Sequence, residues 1–331
     1  MINHHDIFIC PSCGGGLDVV GDMIKCQVCH SGYQTENDIP LLFVPNSWNS
    51  TKKDVTEKVR SFYEQTPFPN YEALETAADL IRKAEKGHFA HMLDKQIPFN
   101  IKVLDVGCGT GQLSNFLSIS NRFVFGVDMC LNSLKLAQNF KINNDLERAG
   151  FYQMNLFKPI FKEESFSLVI CNGALHHTSA PFAGFQAISK LVKKGGYILI
   201  GLYNSYGRIA NDIRSKIFRI FNDRFKFIDP RLRDKKMSEL KKFTWFIDQY
   251  KNPHESKHTI GEVLEWFKQT GFEFISSVPR SNVFETALKN PRLFEPCSKG
   301  NPLSRIIAQI NLLFTMGNEG GFFIMIGRRK N

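Results

Sequence analysis

The sequence predicts an α/β protein, a doubly wound and mostly parallel sheet with a small metal-binding module ahead of it. Three observations carry that expectation. Ile101–Val106 is a short apolar run that reads as a buried strand, and it leads directly into Gly107, Gly109 and Gly111 on alternate positions. From there to about residue 202, strand-like and helix-like segments alternate. Two Cys-x-x-Cys pairs stand near the start with twelve residues between them. A chain of 331 residues can bury a full core beside an appendage, and a composition of 43% hydrophobic residues excludes a disordered protein. No apolar run reaches the roughly 18 residues that span a bilayer, and Met1–Cys10 has no signal-peptide core, so the expectation is a cytoplasmic protein with no transmembrane segment. Eight cysteines agree with that compartment if four bind metal and the others stay reduced.

Residues 1–47 read as a zinc ribbon. Cys10 and Cys13 lie beside Gly14–Gly16, and Cys26 and Cys29 beside Gly32. Each pair sits on a tight turn and offers two thiolates to one tetrahedral Zn2+. Disulfides or redox dithiols are the competing chemistry, and a reducing compartment disfavours the first. A module this small buries too little apolar surface to fold unaided, so the metal would supply much of its folding free energy.

Residues 48–100 read as a helical linker and lid. Asn46–Lys53 is polar; Asp54–Tyr63 has helical spacing through Val55, Val59 and Phe62 and breaks at Pro67-Phe68-Pro69. The aromatic group Phe62, Tyr63, Phe68 and Tyr71 either packs on the outside of the core or belongs to a lid whose Tyr63 reaches the active site. Ala73–Leu93 continues as helix.

In the core, Phe123–Val127 is a second strand ending in Asp128, nineteen residues beyond Gly109. An acid at that place suits a bidentate bond to ribose hydroxyls. The dinucleotide fingerprint wants a third glycine where Gln112 or Ser114 stands, and no Lys-Ser/Thr follows the glycines, so neither that fingerprint nor a phosphate P-loop fits. The pattern Asp105-x-Gly107-x-Gly109-x-Gly111, with Cys108 and Thr110 between the glycines, resembles instead the first motif of class I S-adenosylmethionine-dependent methyltransferases. The resemblance continues through Asp128 as the ribose-binding acid, Met129 flanking adenine, and Gln153-Met-Asn155-Leu156 as the adenine-contacting segment. That family usually has Asp where this chain has Asn155. Phe166–Asn172 matches the fourth strand, and Lys194-Gly-Gly196 the turn into the fifth. The resemblance implies a Rossmann-like seven-stranded sheet whose last strand, Gly321–Gly327, runs antiparallel between strand five and strand six (Phe272–Val278). It also implies S-adenosylmethionine as cofactor, with Asn172 among its neighbours. The ribbon, for its part, resembles the short zinc-ribbon proteins that activate methyltransferases, here fused in cis.

A sulfonium methyl is already activated, so such an enzyme chiefly aligns acceptor, methyl and sulfur and adds a base where a proton must leave. The base is sought after the fourth strand, at Asn172-Gly-Ala-Leu-His176-His177-Thr178. This stretch lacks the Asn/Asp-Pro-Pro-Tyr/Phe of adenine and glutamine N-methylation and the nucleophilic cysteine of cytosine C5 methylation. It resembles the small-molecule group that includes ubiquinone and menaquinone C-methyltransferases. His176 or His177 is then either the base or a packing residue near the cofactor.

The methyltransferase domain is expected over residues 101–331 with insertions at about 203–259 and 279–320. Tyr203–Arg208 reads as a polar loop over the acceptor side, with Tyr203 a candidate orienting hydroxyl. Arg208–Lys242 holds twelve Lys/Arg against five Asp/Glu, most of the chain's formal charge of +10. A solvated helical face, an anionic membrane surface and nucleic acid compete for it. Asp248–Thr259 reads as a loop, closed by a capping box of Thr259 and Glu262, whose Tyr250, His254, Glu255 and His258 wall the acceptor site. The apolar Ile306–Phe314 covers the pocket, forms a dimer interface or touches lipid. The leading function is methyl transfer from S-adenosylmethionine to a small-molecule or lipid-like acceptor. The rivals are an RNA methyltransferase using the ribbon and basic segment, and a cofactor-binding scaffold without turnover.

Overall fold

The computed structural model describes residues 5–21, 23–48, 54–69, 71, 75–285, 292–314 and 320–331. The expected linker and the second insertion fall partly outside these. The N-terminal module is an antiparallel sheet of β1 (Leu17–Val20), β2 (Met23–Cys26), β3 (Gly32–Glu36) and β4 (Ile39–Pro40). One Cys turn precedes β1 and the other joins β2 to β3, each close to glycine.

Three helices precede the main sheet: α1 (Thr56–Gln65), α2 (Ala77–Lys86) and α3 (His88–Gln96). The expected single helix to Leu93 is split at Gly87, which ends α2 and opens α3. Thr76 and Asp79 start α2 with a reciprocal capping box, satisfying donors that a helix N-terminus leaves open.

The core follows as β5 (Lys102–Val106), α4 (Gln112–Ile119), β6 (Phe123–Asp128), α5 (Leu131–Asn143), β7 (Ala149–Gln153), β8 (Phe166–Asn172), α6 (Pro181–Ser189) and β9 (Val192–Tyr203). Then come α7 (Ile209–Ile220), α8 (Glu239–Lys251), α9 (Ile260–Gln269), β10 (Phe272–Val278), α10 (Pro302–Phe314) and β11 (Phe322–Arg329). The sheet order is β10-β11-β9-β8-β5-β6-β7, parallel from β9 to β7, with β11 antiparallel to both its neighbours. This is the seven-stranded arrangement expected from the sequence.

Strand residues alternate between two buried layers, as a period of two requires. Val106, Phe125, Val127, Val169 and Cys171 face one layer, while Val103, Val124, Leu168 and Ile170 face the other. Strand order reverses between β5 and β8, so their carboxyl ends open a crevice where ligands of such sheets bind.

The N-terminal module is seated on the edge of this sheet. Ile9 N–H donates to the Ile160 carbonyl (2.8 Å), Lys162 N–H to Ile7 (2.8 Å), and Leu42 N–H to Gln153 at the end of β7 (3.1 Å). Ile39 packs among Leu134, Ala137, Ala149 and Phe151. The segment after β4 thereby covers backbone groups that an edge strand would leave exposed.

Two local expectations are corrected. Asp248–Lys251 belong to α8, because Ser238 caps that helix and its apolar face stays in phase through Phe246; the loop begins only at Asn252. Thr259 does cap α9 through the Glu262 N–H (3.1 Å), but Glu262 turns its carboxylate to His258 Nδ1 (2.8 Å) and does not close a box. Among the described residues no helix is long and apolar enough to cross a membrane.

Candidate active site

A cavity of about 980 Å3 occupies the crevice above β5 and β8, at the upper end of the roughly 300–1,000 Å3 usual for ligand sites. Its first end is the turn after β5. Gly107, Gly109 and Gly111 all hold positive φ (70°, 53° and 72°), a conformation costly for other residues. Their lack of a side chain also lets neighbours approach: a Cβ on Gly107 would stand 2.3 Å from Ala174 Cβ, and one on Gly109 2.6 Å from the Phe68 carbonyl oxygen. Gly107 and Cys108 donate their N–H groups to the Val127 carbonyl (2.8 and 3.0 Å), and the Thr110 hydroxyl donates to Pro69 (2.5 Å). The turn is thus held against β6 on one side and the 68–69 segment on the other.

Asp105 is buried beneath the turn and accepts from Ser114 Oγ at 2.6 Å. Burial pushes its carboxyl up to about 6, against the lowering effect of that hydroxyl. Asp128, at the tip of β6, lines the cavity; its carboxylate accepts N–H groups from Gly109 (2.9 Å) and Cys130 (2.8 Å), which fix its orientation. Met129, Met154, Leu156 and Phe157 form an apolar wall beside it. Across the crevice Asn172 Oδ1 is buried with no hydrogen-bond partner among the described residues. A side-chain-free cradle, an oriented carboxylate at ribose distance along the chain, an apolar slot and an open acceptor atom together fit the nucleoside and amino-acid parts of S-adenosylmethionine.

Asn155 also lines the cavity, with its side-chain atoms engaged by neighbours. Its amide donates to the Val44 carbonyl (2.9 Å) and Asn46 Oδ1 (2.7 Å), and its oxygen accepts the Phe157 N–H (3.1 Å). The side chain ties the end of the N-terminal module to the apolar wall.

The second end of the cavity collects Tyr63, His176, His177, Tyr203, Asp248 and Gln249. Tyr63 donates to Asp248 Oδ1 (3.0 Å) and accepts from Asn252 (2.8 Å). Gln249 Nε2 donates to both Asp248 Oδ2 (2.9 Å) and the Tyr203 hydroxyl (2.7 Å). Arg208 lies with its guanidinium 3.8 Å over the Tyr203 ring, donates to Gln249 Oε1 (2.7 Å) and pairs with Glu255. This buried network locks both tyrosines, and burial raises both of their pKa values, so their hydroxyls stay protonated at neutral pH.

His177 Nδ1 faces the His254 carbonyl at 2.8 Å, an acceptor only, which assigns the ring proton to Nδ1 and leaves Nε2 as a lone-pair acceptor. Burial lowers its pKa, with Asp248 acting in the opposite sense, so the neutral form is the one present at pH 7. His176 lies between His177 and Tyr203, with ring centroids 4.2 and 4.3 Å away, and burial followed by the charge of His177 puts it well below the usual imidazole range.

The four residues expected to wall the acceptor side do not line this cavity. Tyr250 donates to Asp229 (2.7 Å), the His254 ring is bonded to the Thr178 carbonyl (3.0 Å), Glu255 holds Arg208, and His258 bridges Ser256 and Glu262. They support the wall from behind; Asp248 and Gln249, in the last turn of α8, form it. Asp248 and Gln249 open the stretch that the sequence singles out, but nothing local marked them as the wall, since their partners Tyr63 and Tyr203 come from distant parts of the chain. Arg231 and Trp245 from the same insertion, and Lys83 from α2, also line it. No residue of α10 lines the cavity, which counts against the cover among the three roles open to Ile306–Phe314.

At the other end of the molecule, the Sγ atoms of Cys10, Cys13, Cys26 and Cys29 all lie within 4.8 Å of one another. Two of the separations are 3.7 and 3.4 Å. Zinc–sulfur bonds of about 2.3 Å place tetrahedral sulfurs about 3.8 Å apart, so the donor set fits that ion.

Residues 99–271 match the family described as a methyltransferase domain. The chain is 31% identical over 105 residues to a ubiquinone biosynthesis O-methyltransferase of Leptothrix cholodnii, covering 31% of this chain and 45% of that protein. With its namesake in Cronobacter sakazakii it shares 28% identity over 202 residues, 58% of this chain and 77% of the relative. The chain thus spans about half the length of most of the curated relatives it matches. Among solved structures, the complex between the Haloferax volcanii Trm112 methyltransferase activator and a methyltransferase overlaps 77% of this chain and 96% of that one, at 14% identity and a TM-score of 0.47.

Proposed function

Because the chain belongs to the methyltransferase-domain family, we propose that it transfers a methyl group from S-adenosylmethionine to a hydroxyl of a small or lipid-like acceptor. The observation that carries this reading is the single cavity that joins the glycine turn and Asp128 to a closed ring of Tyr63, His177, Tyr203 and Asp248. When bound, S-adenosylmethionine supplies an activated methyl group on a sulfonium centre. The chain's own residues bind, orient and deprotonate. Asp128, held by two backbone N–H groups, takes the ribose hydroxyls; the turn at Gly107–Gly111 lets the backbone approach; Met129 and Leu156 flank the base. At the acceptor end, the aromatic rings exclude water and align the acceptor. His177 Nε2 takes the hydroxyl proton, since its Nδ1 is already committed to His254. An O-acceptor is also what the names of the relatives specify for those proteins. In the same reading Cys10, Cys13, Cys26 and Cys29 hold a structural zinc, and the ribbon braces the adenine-side wall through Asn155.

The test is methyl transfer from labelled cofactor into a cell extract split into lipid, small-metabolite and RNA fractions. Label in the lipid or metabolite fraction, lost with Asp128→Ala, is expected. Label confined to RNA would replace this acceptor with nucleic acid, and no label in any fraction would leave only a cofactor-binding scaffold.

A further inference from the structure

We propose that the outer face of residues 209–243 is a docking surface for an anionic lipid bilayer, set beside the mouth of the cavity. The segment exposes large apolar side chains that no other described part of the protein covers: Ile213 (55%), Ile220 (69%), Phe227 (60%), Leu240 (56%) and Phe243 (54%). They come from three successive elements of one segment. Ile213 and Ile220 are seven apart on α7, two helical turns along one face. Phe221, Phe225 and Phe227 touch in sequence, with ring centroids 5.0 and 5.9 Å apart. Leu240 and Phe243 are three apart on the first turns of α8. Phe218 joins the two helices by packing on Phe246 (5.4 Å) and Tyr250 (4.7 Å), so both faces belong to one body.

Charge complementarity names the occupant. Arg208–Lys242 carries twelve cations against five acids, and each acid is engaged. Asp212 pairs with Lys257, Asp223 with Lys251 and Glu239 with Lys242; Asp229 accepts from Trp245 and Tyr250, and Asp234 from the Lys236 N–H. Lys216, Arg219, Arg224 and Lys226 stand exposed among the apolar side chains. Basic residues around exposed aliphatic and aromatic groups match the boundary between headgroups and acyl chains. Nucleic acid matches less well, because Ile213, Ile220 and Leu240 have no ring on which a base stacks.

The same segment reaches the cavity. Arg231 and Trp245 both line it, with the guanidinium 4.1 Å over the indole. Docking would bring the acceptor end to the bilayer, from which a lipid-borne acceptor enters. Delivery rests on the methyltransferase reading; docking itself does not.

The experiment is sedimentation of the full chain with vesicles of phosphatidylcholine alone or mixed equally with phosphatidylglycerol, for the wild type and the double variant F227S/F243S. The expected result is partition onto the anionic vesicles only, weakened by salt and reduced at least roughly tenfold in the variant. Both replaced residues are exposed and outside the cavity lining, so S-adenosylmethionine affinity should be unchanged and certifies the fold. Equal partition onto both vesicle types, no partition, or partition indifferent to F227S/F243S overturns the proposal. So does binding of polyuridylate in place of vesicles, which would assign the face to nucleic acid. Vesicle binding without cofactor binding would instead sink the functional reading alone.

Discussion

Gly109→Ala separates the two demands that the glycine turn makes on the chain. Gly109 holds φ +53°, and an alanine there costs about 1 kcal/mol in backbone strain. Its Cβ would also stand 2.6 Å from the Phe68 carbonyl oxygen, closer than real Cβ contacts allow. The partner is main chain, so relief requires moving the 68–69 segment by about half an ångström. That segment lines the cavity and accepts the Thr110 hydroxyl. Gly271→Ala is the control: φ is +79° and nothing lies within 4 Å of the new Cβ, so only strain is added. Gly271→Ala should lose about 2 °C in melting temperature for the strain of about 1 kcal/mol, and Gly109→Ala more, because its clash adds to that strain. Only Gly109→Ala should also weaken S-adenosylmethionine in calorimetry, by about tenfold or more, which is about 1.4 kcal/mol. Equal cofactor affinity in the two variants would refute the argument that close approach, beyond backbone conformation, is what the turn supplies.

Asp128→Asn keeps the shape of the side chain but sets an NH2 against either the Gly109 or the Cys130 N–H; about 1–3 kcal/mol of stability should be lost, together with at least tenfold in cofactor affinity by calorimetry. Because burial holds His176 neutral well below the usual imidazole range, the unfolded chain takes up its proton first on acidification. Stability from this group is full above about pH 6.5 and falls as pH drops below it, and thermal melts of His176→Phe should show a shallower decline between about pH 6.5 and 5. Asp105, pushed up to about 6, acts in the opposite direction over that range in both proteins, so the comparison isolates the histidine. Stripping the purified protein with a strong chelator should release about one equivalent of zinc, measured by elemental analysis. It should also lower S-adenosylmethionine affinity several-fold, because the ribbon is bonded to Asn155 and Gln153; an unchanged affinity would uncouple ribbon and site.

What the sequence determined by itself is local. Phe123–Asp128, Phe166–Asn172 and Phe272–Val278 are legible as strands because both faces of a parallel sheet are buried and leave continuous apolar runs. The positive φ values at Gly107, Gly109 and Gly111 and the grouping of four cysteines were readable for a similar reason: each demand falls on neighbouring residues of fixed chemistry. Tertiary structure decided what depends on residues far apart in the chain. Tyr63 meets Asp248 across 185 positions, and Asn155 meets Val44 across 111. His254 contributes its main-chain oxygen to His177 and turns its ring to Thr178, a distinction no residue type announces. The glycine-turn end of the site stands at the carboxyl ends of successive parallel strands, each legible as an apolar run with its own terminal residues, so spacing describes it. The acceptor end is assembled from α1, the segment after β8, the end of β9 and α8, and only the packing that brings them together defines its chemistry.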